Sequence, residues 1–201
     1  MTGPEPAPTT RRGQAKAARR AELLAAAARQ MADRGFAAVR LEDIGAEVGV
    51  SGPAMYRHFA SKTDVLDQLL LDISERLHAG GAEVIERGGA PEEVLRNLVE
   101  FHIDVLVTKP DLIAIQDRDL ASLTPEANHR VRSLQRRYVE NWVAVLLDIA
   151  AAQGRPLTAE AARVRAHAAF GLLNSSPRLP AYPEDELRGL LTDMAMAALS
   201  V

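Results

Sequence analysis

The sequence has no cysteine among its 201 residues. A disulfide framework and a thiolate metal site are therefore excluded, and a reducing compartment suits the chain. Aromatic side chains are scarce, with one Trp, three Tyr and four Phe, so any aromatic cluster must be gathered from scattered positions by the fold. No run of about eighteen apolar residues is present; the longest candidate, near Trp142 to Ala152, is broken by Asp148. The opening MTGPEPAPTTRR is polar and proline-rich, with no apolar signal region, so a soluble cytoplasmic protein is expected, with no membrane contact. Catalytic signatures are missing too. There is no Gly-x-Ser-x-Gly elbow, no Gly-x-x-x-x-Gly-Lys phosphate loop and no His-Glu-x-x-His zinc motif. His58, His78, His102, His129 and His167 make no i,i+4 metal pair. Neither enzyme activity, nor a cofactor, nor a metal is expected.

What is present reads almost wholly as helix, without strand alternation or internal repeats. A first helix is predicted over about Gln14 to Arg34, stopping at Gly35, and a long one follows Lys62 and ends at Gly80-Gly81. Prolines open the next three: Pro91 to Lys109, Pro110 to about Ser122, and Pro125 to Ala152. Two alanine-rich helices, about Thr158 to Ser175 and Pro183 to Leu199, flank the loop NSSPRLPAYP. The predicted class is all-α with nine or ten helices. Charge is split: residues 1–62 hold 10 Lys+Arg against 6 Asp+Glu, a net +4, while residues 63–201 hold 14 against 21, a net −7. A basic head on an acidic body favours a polyanion at one end only. Arg11, Arg12, Lys16, Arg19 and Arg20 cluster at its start, either as a groove-crossing arm or as a solvated tail.

The segment Val39 to Lys62, VRLEDIGAEVGVSGPAMYRHFASK, carries the strongest local signal. Ile44 and Val48 share one face of a short helix that begins near Leu41 and ends at Gly49. Ser51 suits the N-cap of a second helix, and Pro53 its first turn. Met55 and Phe59 face inward with Val50, leaving Gly52, Pro53, Ala54, Tyr56, Arg57 and His58 outside. Two helices crossing at so tight a turn can offer the second helix to a DNA major groove. Tyr56, His58 and Lys62 are phosphate donors in this reading. Gly52, Pro53 and Ala54 can touch a thymine methyl but cannot form bidentate base pairs, so Arg40 and Arg57 are the expected base readers.

These residues resemble the DNA-binding domain of the tetracycline-repressor (TetR) family, with its Tyr-x-His-Phe motif and following Lys. Tyr56, His58, Phe59 and Lys62 stand at those positions, with Gly35-Phe36, Asp43-Ile44 and Val50-Ser51 also in place. Two positions depart: Arg40 replaces the common capping Thr, and Gly45 replaces the usual Ala after Ile44. The resemblance implies an N-terminal three-helix helix-turn-helix domain plus a larger C-terminal helical domain for ligand binding and dimerisation. The division expected is a flexible arm at 1–13, a DNA-binding domain at 14–62 and an effector-binding and dimerisation domain at 63–201. It implies double-stranded operator DNA as partner and, most simply, a repressor released from a palindromic operator by a small molecule.

In the second domain the candidate effector residues are polar or aromatic positions on apolar faces. His102 lies in line with Leu95, Leu98 and Leu106; His167 and Asn174 share a face with Gly171; Arg118 sits between apolar positions; Trp142 and Phe170 are candidates to line a cavity. Each also has a plain structural reading, as a satisfied core group or a surface ion pair. Several arginines (Arg118, Arg130, Arg132, Arg136 and Arg137) favour an anionic effector such as an acyl thioester or a carboxylate. The apolar faces of the last two helices (Val164, Ala168, Gly171 and Leu172; Leu187, Leu190, Leu191, Met194 and Ala198) are the expected homodimer surface. The alternative is a DNA-binding regulator with no small-molecule switch, controlled by concentration or a protein partner. A filled second domain favours that alternative, and an open pocket near His102 and His167 favours the switch.

Overall fold

The computed structural model describes residues 11–200, apart from the side chain of Arg12. The described chain is all-α, and nine α-helices and two short 3-10 turns account for its regular structure. Residues 1–10 of the expected arm lie outside the described residues, and Arg11 to Gly13 already belong to the first helix. That helix, α1, spans Arg11–Arg34. The head is completed by α2, Leu41–Glu47, and α3, Gly52–Met55. Leu23, Ala26, Ala27 and Met31 on α1 are fully buried in one core with Ile44, Met55 and Phe59. Small alanines let neighbouring helices approach the first helix closely.

The long α4, Lys62–Glu86, runs through the predicted stop at Gly80-Gly81. The glycines are there for packing. A Cβ at Gly80 would lie 2.2 Å from the Phe101 ring, and one at Gly81 would lie 2.5 Å from Tyr138. Each glycine admits an aromatic ring at the helix surface, which outweighs the roughly 1 kcal/mol cost of glycine in a helix interior. Val65, Leu66 and Leu70 are buried toward the N-terminal half of the helix, and Ile73, Leu77 and Val84 toward the other, in one continuous core. The helix is thus common to both halves of the molecule.

The body comprises α5 (Pro91–Thr108), α6 (Pro110–Asp119), α7 (Pro125–Ala152), α8 (Ala159–Leu173) and α9 (Glu184–Leu199). Helix α7 packs on α4, α5 and α8; α9 closes over α5 and α8; α6 lies against α1. Prolines begin α5, α6 and α7 as predicted. The start of α7 is tied to α4, because Asp67 accepts the Thr124 N–H at 3.0 Å and its hydroxyl at 2.7 Å.

Candidate nucleic-acid interface and second-domain site

The turn of the head is closed by backbone geometry. Gly49 has φ 71° after α2, the left-handed conformation that suits glycine. The Val50 N–H then returns to the Gly45 carbonyl at 2.8 Å. A Cβ on residue 45 would lie 2.5 Å from the Val50 carbonyl oxygen and 2.8 Å from Met55 Cγ. Glycine here lets α2 and the turn approach more closely than an alanine allows. Ser51 holds the N-cap position through its carbonyl, which accepts from Ala54 and Met55 at 2.9 and 3.1 Å. Its side chain makes no cap bond, contrary to expectation. At α2 the cap is half a box: the Asp43 carboxylate accepts the Arg40 N–H at 3.1 Å, and a guanidinium cannot accept in return.

Arg40, Ser51, Pro53, Tyr56 and Arg57 are exposed, and Gly52, Ala54, His58 and Lys62 are half-buried. Tyr56 is 57% exposed and donates its hydroxyl to Glu42 at 3.3 Å. Arg40 and Arg57 extend into solvent with no ion pair to any described residue. Lys62 differs from the free phosphate donor expected. Its ammonium donates to the carbonyls of Phe36 and Ala37 at 2.7 and 3.2 Å and stands 4.4 Å from the centre of the Phe36 ring. It locks the loop between α1 and α2, whose carbonyls lie outside any helix and need donors. Arg20 is likewise turned inward: it donates to the His58 carbonyl and to Gln68 and covers the Phe59 ring at 4.5 Å. Arg19 pairs with Glu22 at 2.8 Å. Of the basic cluster, Arg11 and Lys16 are exposed, as is Arg19 in its surface pair. His58 has Nδ1 buried without a partner among the described residues.

In the body, four of the six sequence candidates converge. His102 is buried, with Nε2 at 3.1 Å from Asn174 Oδ1 and Nδ1 at 3.2 Å from the Tyr138 hydroxyl. An amide oxygen can only accept, so Nε2 carries the proton and Tyr138 donates to Nδ1. Burial pushes the His102 pKa down to about 4 and raises that of the Tyr138 phenol. The ring is neutral and both its nitrogens are satisfied. Trp142 and Phe170 pack edge-on with centroids 4.7 Å apart, and Phe170 stands 5.1 Å from His102. These aromatics fill the interior where a cavity was expected. Tyr138, which completes the cluster, reads in the sequence only as a member of an apolar stripe.

His167 and Arg118 lie elsewhere. His167 is exposed on α8, pointing away from His102, because Ala166, Ala169 and Phe170 occupy the inward face. Arg118 reaches across to α1, donating to the carbonyls of Ala32, at 3.1 Å, and Met31. It also lines, with Gln116, Arg132 and Asn174, an open groove of about 440 Å³ between α6, α7 and the end of α8. Arg132 was expected only as one of several arginines favouring an anion; Gln116 was not among the sequence candidates, and nothing in a local pattern separates it from an ordinary surface residue. A second hollow, of about 450 Å³, lies between α1, α4 and the start of α6, with Ala21, Leu24, Ala25 and Ala28 on one wall.

The last two helices leave an apolar strip in solvent. Val164 is 69%, Leu190 49% and Met194 45% exposed; Ala168, Gly171 and Ala198 are exposed beside them, whereas Leu191 is buried in the core.

A family model of bacterial regulatory proteins, tetR family, matches residues 23–69. A second, the tetracyclin repressor-like C-terminal domain, matches residues 88–178. The chain belongs to the TetR family. It is similar to the HTH-type transcriptional repressor KstR2 of Rhodococcus jostii (strain RHA1), with 30% identity over 134 residues. That match covers 65% of this chain and 65% of the relative, so the chain spans just under two thirds of that curated relative's length. The TetR family regulator PfmR from Thermus thermophilus is 25% identical with a TM-score of 0.76, covering 89% of this chain and 99% of its own. AibR, crystallised with isovaleryl coenzyme A and operator DNA, has the same fold at 21% identity and a TM-score of 0.73, covering 88% and 97% of the two chains. These relatives are transcription regulators and not enzymes.

Proposed function

We propose that the protein is a transcriptional repressor that binds a palindromic DNA operator as a homodimer and is released by a small anionic effector in its second domain. The observation that carries DNA binding is the outer face of the helix-turn-helix, where Arg40 and Arg57 are exposed beside the exposed Tyr56, with no ion pair to any described residue. For guanidinium groups in this state, contact with phosphate or guanine offsets the modest cost of leaving water. Gly52, Pro53 and Ala54 add small surfaces for thymine methyls, while Ser51, His58 and Lys62 hold the turn in shape. In this reading the DNA-binding unit is 14–62 and the effector and dimer unit 63–201.

Dimerisation rests on the strip of Val164, Leu190 and Met194, since a symmetric operator requires a two-fold reader. The anionic effector rests on the arginines around the groove beside α6. AibR supports that chemistry, since its bound isovaleryl coenzyme A is an anionic acyl thioester. The filled cluster of His102, Tyr138, Trp142 and Phe170 favours the second reading, a regulator with no small-molecule switch. The open groove reached by Asn174 is what favours the first.

The test is DNA binding to operator recovered from genome-wide bound fragments. Arg57→Ala is expected to weaken binding by about 1–3 kcal/mol and to relax base preference. Tyr56→Phe is expected to weaken all sequences alike. Unchanged binding by the double variant overturns the interface.

A further inference from the structure

We propose that the groove between α6 and α7 takes a small organic carboxylate, which draws the Arg118 guanidinium off the end of α1 and so loosens the head from the body. This rests on the effector-responsive reading above and names its site and its mechanism. Arg118 belongs to α6, yet its Nη1 and Nη2 donate to Ala32 and Met31 carbonyls in the last turns of α1. A helix C-terminus carries partial negative charge and unsatisfied carbonyls, so a guanidinium from another element is a strong cap there. The same guanidinium forms part of the groove wall. It therefore faces two kinds of acceptor, the end of α1 and whatever enters the groove.

The groove has the charge to attract an anion. Its carboxylates are already engaged: Asp117 pairs with Arg178, and Asp119 holds Arg118 at 3.1 Å. Arg132 on the facing helix is exposed and has no ion pair to any described residue. Gln116 ends in an oxygen that is buried and unpartnered among the described residues; turned end for end, the same amide presents its N–H groups to a carboxylate. Asn174 completes the wall, held by His102 from behind.

Four of the five N–H groups of Arg118 are committed, two to Asp119 and one to each α1 carbonyl. An entering carboxylate meets Arg132 and the remaining N–H. It can then take the Nη1 donor from Ala32, because a charged acceptor holds a guanidinium about twice as strongly as a neutral carbonyl. The guanidinium leaves the carbonyl of Ala32, half-buried at the helix end where water can replace the donor, and that of Met31, which keeps the Gly35 N–H. Linkage requires the converse: a head held against α6 by DNA weakens carboxylate binding by the same factor.

The experiment follows the arginine Nε–H signals by nitrogen-15 NMR during titration with straight-chain carboxylates from acetate to octanoate, and with the matching primary amides. Saturable movement of Arg118 and Arg132 with carboxylates alone, and faster amide exchange at Gly35, whose N–H is held by the Met31 carbonyl, is expected. Arg132→Gln should weaken binding about tenfold or more, the worth of one charge-assisted hydrogen bond. Arg118→Lys, which keeps the charge and loses the fork, should leave exchange at Gly35 fast with or without ligand. Equal binding of amides, binding of none of the series, or no effect of Arg132→Gln overturns the site. Binding through both arginines with unchanged exchange at Gly35 overturns the latch. Binding with faster exchange but unchanged operator affinity supports the latch and overturns the effector-gated reading instead.

Discussion

The outer face of the head and the interior of the body each hold a few polar side chains, and the two sets are treated in opposite ways. On the head, Arg40 and Arg57 stand in solvent, and the exposed Tyr56 has only a long bond to Glu42. In the body, Tyr138, His102 and Asn174 form a closed chain of bonds, wrapped by Trp142 and Phe170. Exposed donors cost little to keep unpaired because water serves them, and they stay available to a partner. Buried donors are mostly satisfied, because an orphan costs about 1–3 kcal/mol; the Trp142 indole N–H, without a partner among the described residues, is the exception in this cluster. A polar residue on an apolar face is therefore a poor marker of a binding site when other polar residues can fold against it.

Hollowing the interior is the most severe challenge to this contrast. Trp142 is fully buried, and Trp142→Ala is expected to cost about 3–5 kcal/mol, measured by denaturant unfolding. A much smaller loss means that the body already has a ligand-sized void. Acid tests the same cluster. Above pH 6.5 His102 is neutral whether folded or unfolded, and its environment costs nothing. As pH falls from 6.5 toward 4, only the unfolded chain gains the proton, so stability drops, by on the order of 3 kcal/mol in all. His102→Gln should remove that slope; equal slopes for both proteins would mean that His102 is solvated.

On the head, Gly45→Ala forces a Cβ into the Val50 carbonyl and Met55. A loss of about 1–3 kcal/mol, typical of overpacking, is expected in thermal unfolding. The smallest effect concerns Lys62, which decides how far the head's outer face extends. Lys62→Met should cost about 1–2 kcal/mol of stability, from two hydrogen bonds and a ring contact. Unchanged stability with a salt slope for DNA binding reduced by about one would return Lys62 to the phosphate role.

Helix positions were largely legible because proline and glycine act locally: Pro91, Pro110 and Pro125 open helices, and Gly35 and Gly49 close them. The stop read at Gly80-Gly81 failed since the same residue type also makes room for a ring arriving from a distant helix. The candidates His102, Trp142, Phe170 and Asn174 were brought together, but as a filled core. His167 was turned out by the alanines beside it, and Arg118 was taken up by α1.

Residue types at short, regular spacing suffice for the all-α class, the turn at 49–51, the family and the basic head. Which cations remain unpaired, where the groove opens and which apolar residues of α8 and α9 stay exposed are settled only when the helices pack. Those properties depend on which side chains meet across 50 or more residues of chain, as Arg118 meets Met31, and no local pattern encodes such a meeting.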